Sequence, residues 1–538
     1  MKRSLLLLIA VLISFVSLQR ANAAALDEMS LKQYAKLREV ERYQMKIADK
    51  YYHERNYKVA MAEYEKFLTL YERSIGAPYA QLRWSICLVH QRKLNTAIKE
   101  GFQSVVDYWP ESNEAIAADY YIAKTYKDMG EVRKAKKTYQ SVLDDHPKHL
   151  AAVYTCSDLI EIAKVQKDSD LLVKMWKQLT FETPRNRESK SLCQRASYEL
   201  ASYQFYQAAL KEGLEALKTT YSEEQLAYYV LYYSRRPIST MAADSKTKAK
   251  AEKFADECIA YIRSVTPKNT SEEEDELIAL NNGYYIGDIH IAAGRDTKVV
   301  PYYQEMMKQF GERDTIRDKI ATYFKSKNKY DEARAQYRQY KNKVEGNSQI
   351  AYSYRQQKNY DPAVLAYRQN VVLDPDQAVH WNSTIATTYR EASKYKEAVA
   401  VYEELYKTDS KNAEKWIWQI ATTYRDAGEH KQAIAYYRQS NNFPSNYSEM
   451  AACHRRLKEY KEAIILYNQI IGGAPKSAAW ALYEVARTQE AAGNKEKAIL
   501  TFQQVCKRFP KDSYASRAHA HLQNTYKITV TLGGAKDE

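Results

Sequence analysis

The segment IATTYREASKYKEA at Ile385–Ala398 returns thirty-five residues later as IATTYRDAGEHKQA at Ile420–Ala433, identical at nine of fourteen positions. A chain that copies itself at so short a period closes no single large core; each copy must bury its apolar face against the next. The same register runs through the last 240 or so residues. Small residues form a ladder at Ala333, Ala363, Ala398, Ala433, Ala463 and Ala498, and an aromatic follows each by four places, at Tyr337, Tyr367, Tyr402, Tyr437, Tyr467 and Phe502. A second Ala precedes each anchor by twelve places, at Ala321, Ala351, Ala386, Ala421, Ala451 and Ala486, and Pro375, Pro475 and Pro510 punctuate the connections. Within one unit Ile385, Ala386 and Tyr389 share a helical stripe. Tyr395, Ala398, Val399, Tyr402 and Leu405 form a second i, i+3, i+4, i+7 stripe beyond a turn near Ser393. Each unit is therefore a helix–turn–helix, with small residues where the helices cross and aromatic rings filling the wedge beside them.

The front of the chain carries the unit at a longer spacing: Ala60, Ala97, Ala135, Leu172 and Ala209 serve as anchors at intervals of 37, 38, 37 and 37. Between Tyr221 and Arg295 the pattern loosens. Candidate anchors Ala251 and Val299 are 48 residues apart, and Pro237–Thr247 and Thr266–Asp275 read as insertions. Gly (15) and Pro (12) in 538 residues are under half the usual share of about 12%, which excludes turn-rich sandwiches, barrels and doubly wound folds. Period and punctuation resemble the tetratricopeptide repeat, a two-helix unit of about 34 residues. The resemblance implies an all-α fold, a right-handed superhelical solenoid of stacked helix–turn–helix units. About thirteen units fit between residues 40 and 520. The expected organisation is a signal peptide over 1–23, an N-terminal block over 24–220, divergent repeats and a joint over 221–295, a C-terminal block over 296–513, a capping helix over 514–527 and a tail over 528–538.

The first residues read as an address. Lys2 and Arg3 precede an uncharged apolar run, Ser4–Leu18, and Ala21-Asn22-Ala23 has the small-x-small spacing of a cleavage site. No Cys precedes Cys87, so the acylated Cys of a lipoprotein is missing. The expected location is the periplasm, as a soluble protein with no integral membrane segment after cleavage, with secretion as the second choice. Six cysteines lie at least 37 residues apart without a C-x-x-C. They read as small buried helix residues, with a Cys156–Cys193 disulfide as the alternative in an oxidising compartment.

Chemistry-bearing motifs are scarce. Phosphate-loop, dinucleotide, zinc-protease and nucleophile-elbow patterns are lacking, and Ser245-Lys246-Thr247-Lys248 matches S-x-x-K only within a Lys-rich stretch. The expectation is a non-enzyme without cofactor or metal. One constellation stands out. Eight places before successive anchors lie Lys325, Arg355, Arg390, Arg425 and Arg455, with Lys127 in the same place before Ala135 and Glu490 ending the row. Thr387 shares the stripe of Arg390, and Trp418 and Tyr483 lie on corresponding faces. In tetratricopeptide proteins the first helices line the concave groove, so the resemblance implies a row of cations there, selecting acidic peptide segments. The alternative is inter-repeat pairing with neighbours such as Glu391 and Asp426. The 48 tyrosines, including the cluster AYYVLYYS at Ala227–Ser234, are mostly packing residues, and Trp418 and Tyr483 are the candidates for stacking on sugar rings or anchoring peptide segments. The expected function is a scaffold for protein–protein interaction in envelope assembly or secretion. The alternative is an accessory role in polysaccharide export, binding an anionic glycan; export argues against nucleic acid despite the +14 charge.

Overall fold

Residues 26–531 are described by the computed structural model, so the expected leader and the last seven residues of the tail lie outside the described residues. Among those described, helices and turns make up the fold and no strand occurs. From Glu39 to Arg508 the chain runs as thirteen helix–turn–helix pairs, beginning with Glu39–His53 and Tyr57–Leu70 and ending with Ala478–Ala491 and Lys495–Arg508. A short helix, Leu31–Lys36, precedes the array; Ser513–His521 and a π-helical turn, Leu522–Tyr526, follow it. The chain divides into two compact units at Val299/Val300. In each unit the helices pack mainly on those before and after them, although Glu273–Ala292 packs more on Glu223–Ala243, the first helix of the preceding pair, than on Lys248–Ser264; this is the connectivity of a stacked repeat.

One backbone device closes nearly every pair. A residue with positive φ stands five places before the anchor: Arg55, Arg92, Lys167, Ala208, Asn328, Lys358, Ser393 and Lys458, and glycines at Gly130, Gly294, Gly428 and Gly493. It ends the first helix in a left-handed cap. In the Lys358 turn, Lys358 N donates to Arg355 O at 2.9 Å and Asn359 N to Tyr354 O at 2.9 Å, satisfying carbonyls the helix end would leave bare. The pair Glu223–Ala243 and Lys248–Ser264 lacks the device.

The anchor is then the fourth residue of the second helix. Ala60, Ala97, Ala135, Ala333, Ala363, Ala398, Ala433, Ala463 and Ala498 are fully buried there, and so is the preceding small residue in the six C-terminal units. This register corrects one anchor. The turn at Ala208 puts Gly213, not Ala209, fourth in Leu210–Lys218. A Cβ on Gly213 would meet the Phe205 ring at 2.4 Å, so the crossing admits no side chain. In the second pair the place four after the anchor is Gly101, where a Cβ would lie 2.6 Å from Ser85 Oγ. A π-helical segment, Ala97–Phe102, inserts one residue, and Phe102 fills the aromatic slot one place late.

Spacing differences in the C-terminal block have a simple origin. Second helices of 14 residues (Tyr360–Leu373, Tyr395–Thr408) belong to 35-residue steps, whereas Tyr330–Arg338 (9 residues) and His430–Tyr437 (8 residues) belong to 30-residue steps. Residues 237–243, read as part of an insertion, continue the helix Glu223–Ala243 through Pro237. The acidic run at 271–276 lies at the start of Glu273–Ala292, where carboxylates oppose the helix dipole. All six cysteines are buried and free. Burial raises the Cys87, Cys156 and Cys258 thiols to about 12.

Candidate partner-binding surface

The row of cations occupies the last turn of successive first helices, and each guanidinium is engaged by the following unit. Arg355 Nε and Nη2 fork onto Glu391 at 3.0 and 2.5 Å. Arg390 donates to Gln419 Oε1 at 3.0 Å and lies 3.4 Å from Asp426. Arg425 reaches Glu449 at 2.6 Å and its neighbour Asp426 at 3.0 Å, and Arg455 reaches Glu484 at 2.5 Å. These arginines are half-buried. Burial opposes the charge on Arg355 and Arg425, and the carboxylates Glu391 and Glu449 more than offset it, holding both above the usual guanidinium range. The row is thus an inter-repeat clasp, the arrangement the acidic neighbours suggested, and it presents no line of free positive charge. Lys325 differs: its Nζ lies 5.5 Å from the centroid of the Tyr337 ring, a cation–π contact within its own pair.

A positional rule emerges. In five pairs, though not for Arg355, whose Glu391 lies seven before Ala398, the residue eight before an anchor meets the residue fourteen before the next one. Arg390–Gln419, Arg425–Glu449 and Arg455–Glu484 obey it, and so, in the N-terminal block, do Lys127–Asp158 at 2.5 Å and Lys164–Glu199 at 3.9 Å. The last pair conforms only with Gly213 as its anchor. At the end of the row Glu490 accepts from His521 Nε2 at 2.8 Å and Tyr526 Oη at 2.5 Å. Glu490 thereby ties the closing helix to the last pair.

The aromatic candidates are packing residues with exposed edges. Trp418 meets Tyr437 edge-on at 5.0 Å, and Tyr483 sits between Phe502 and Tyr514, each at 5.5 Å. Thr387 Oγ1 lies 3.1 Å from Tyr402 Oη, repeated thirty-five residues on by Thr422 and Tyr437 at 3.1 Å. Trp416 escaped the sequence reading. It is fully buried and its Nε1 donates to Asp409 at 3.0 Å, as Trp381 donates to Asp374 at 3.2 Å; the recurring D-x6-W was the available signal. Also missed was Arg83, 2% exposed among apolar neighbours in Ala77–His90. Tyrosines gather around AYYVLYYS: Tyr221 stacks on Tyr229 at 3.6 Å and Tyr198 at 5.5 Å, while Tyr228 and Tyr232 are exposed.

Among the described residues no three His, Cys, Asp or Glu are arranged to hold a metal ion, and no helix is long and apolar enough to cross a membrane.

Residues 117–149 and 480–512 match the tetratricopeptide repeat, and residues 391–470 match the family of anaphase-promoting complex, cyclosome, subunit 3. No curated protein matches the chain. Similar solved structures include the MamA protein (16% identity, 35% of this chain and 98% of that one, TM-score 0.26). Others are the APC/C hetero-tetramer Cut9-Hcn1 (15%, 92% and 99%, TM-score 0.25) and yeast Tom70 (12%, 91% and 98%, TM-score 0.26).

Proposed function

We propose that this chain, which carries tetratricopeptide repeats, is a non-enzymatic scaffold that is exported and holds protein partners in the cell envelope during assembly or secretion. The observation that carries the reading is the array itself. Within each compact unit successive helix pairs present the same face of their first helices in series, a preformed surface that binds an extended segment with little ordering cost. The uncharged apolar run near Lys2 and Arg3, with Ala21-Asn22-Ala23, supports export. Acidic segments reach the Arg355–Arg455 row by exchanging with its own carboxylates, so the row contributes selectivity more than affinity.

Cross-linking in the envelope followed by mass spectrometry tests this reading. The expected result is one or a few protein partners, with capture reduced when Arg355, Arg390 and Arg425 are all changed to Glu and helicity is retained. Capture of no protein by the full chain overturns it. A second reading, guidance of an anionic glycan, is favoured by the exposed tyrosines Tyr206, Tyr228 and Tyr232, whose ring faces suit sugar stacking; glycan retention in place of protein capture selects it.

A further inference from the structure

The clasp rule is inverted between the first and second pairs. In the first pair the place eight before the anchor is Tyr52, and in the second pair the place fourteen before the anchor is Arg83. A cation therefore stands where Asp158, Glu449 and Glu484 put a carboxylate, and the preceding helix answers it with a ring. The Arg83 guanidinium lies 4.0 Å from the Tyr52 centroid and 5.2 Å from that of Tyr79. A buried guanidinium needs an anion, and here the anion comes from outside the repeats. Asp27, itself buried, places Oδ2 3.1 Å from Arg83 Nη1 and accepts from Tyr52 Oη at 2.9 Å. It belongs to the segment Leu26–Ser30 that precedes the first helix. Leu26 is buried and Met29 packs against the core of the first pair. Just beyond, Gln33 Nε2 donates to Glu114 Oε1 at 3.1 Å. Residues 26–36, with Asp27 and Glu28 at their start, thus lie across first helices of the first three pairs.

The fit is incomplete. Asp27 Oδ1 and Arg83 Nε are both buried without a hydrogen-bond partner, so one carboxylate oxygen does all the pairing on a guanidinium built for a fork. Beside the pocket a cleft of about 330 Å³ is lined by His90, Arg92, Tyr121 and Lys124, with Asp128 the acid among its walls.

We propose that the Arg83 pocket is a carboxylate-binding site for an acidic segment of a protein partner, and that Leu26–Ser30 is a tethered stand-in which the partner displaces. The proposal rests on the scaffold reading. The occupant class follows from what is already seated there: a short peptide segment whose acid meets Arg83. A partner acid with a longer side chain brings both oxygens to Nε and Nη1, and a second acid falls beside His90, Arg92 and Lys124. Tethering raises the stand-in's effective concentration, so its one-oxygen contact suffices until a better-fitting segment arrives.

The test uses the full chain, its Leu26→Ser/Asp27→Ser variant, and a fluorescein-labelled peptide copying residues 26–36, with Asp27→Glu and Asp27→Asn versions of that peptide. The expected result is at least tenfold tighter peptide binding by the variant than by the unaltered chain. The Glu version should bind more tightly than the Asp version, and the Asn version at least tenfold more weakly. Added Glu peptide should accelerate amide exchange at Leu26–Ser30 in the unaltered chain. Arg83→Lys, checked for helicity, should abolish the preference for Glu over Asp. Equal binding by chain and variant, or indifference to the acid, overturns the proposal; the peptide series keeps this decisive even where Arg83→Lys fails to fold. Partner capture that is identical in the unaltered chain and the Ser/Ser variant, with no peptide binding, sinks the pocket and leaves the scaffold standing. Peptide binding without capture of any protein does the reverse.

Discussion

The two compact units solve the same packing problem with different tolerance for irregularity. Beyond Val300 the steps are 30 or 35 residues, and the difference lies mainly in the length of the second helix. Before Val299 the extra residues go both into connections, such as 71–76 and 265–272, and into the helices themselves. In the helices they appear as π-helical segments at Ala97–Phe102 and Gln178–Glu182 and as first helices as long as the 21-residue Glu223–Ala243. The clasp differs in the same way. In the C-terminal unit Arg425 and Arg455 hand their charge to the next pair, as Lys127 does in the N-terminal unit, but between the first two pairs the order runs Tyr52 to Arg83 and the anion comes from Asp27. A repeat can therefore keep its crossing geometry while its clasp chemistry changes, because the crossing depends on small residues such as Ala386 and Ala398 and the clasp on other positions, such as Arg390 and Gln419.

The largest effects should come from exchanging the aromatic slot between the units. Tyr437→Ala removes a fully buried ring and should cost about 3–5 kcal/mol. Gly101→Tyr, which writes the C-terminal pattern into the second pair, should destabilise by about 2–3 kcal/mol, because Ser85 occupies the space. Urea midpoints of the full chain measure both; a neutral Gly101→Tyr would break the claim that the π segment has moved the slot.

Next is the clasp. Arg455→Ala strands the half-buried Glu484 and should cost about 1–2 kcal/mol. A double-mutant cycle with Glu484→Ala should return a coupling of about 0.5–1.5 kcal/mol. Zero coupling would make the row a solvated surface after all. The turns give a smaller effect of opposite sign. Ser393→Gly relieves a left-handed non-glycine residue and should stabilise by about 1 kcal/mol, while Gly428→Ala in the next unit should lose about as much. Thermal melts resolve the pair.

The smallest effect is at the C-terminal cap. Burial works against the Glu490 charge, but Tyr526 and His521 outweigh it and hold the carboxyl below its ordinary value. A depressed folded pKa contributes stability above the unfolded glutamate value of about 4.3, and that contribution is lost as pH falls through the folded one. Glu490→Gln should therefore cost about 0.5–1 kcal/mol at pH 7 and flatten this part of the acid limb below about pH 4.

Much of this was legible in residue order. Ala398 and Ala433 recur because a crossing tolerates only small side chains, and local rules of that kind repeat with the sequence. The left-handed turns were less visible: with Gly scarce, Arg55, Lys358 and Ser393 fill positions that a glycine would have advertised. The Ala209 anchor misled because Gly213 carries no side chain to signal its role. The arginine row was visible as a row, but its partners Glu449 and Glu484 lie on the next pair, twenty-four and twenty-nine residues away.

Helicity, repeat unit and the small-residue crossings were set by the sequence alone, since they depend on spacing within one or two helical turns. Whether a cation is free, clasped or buried was decided only by tertiary structure. Charge is neutralised by what lies near in space, and stacking brings Asp27 to Arg83, fifty-six residues away in the chain.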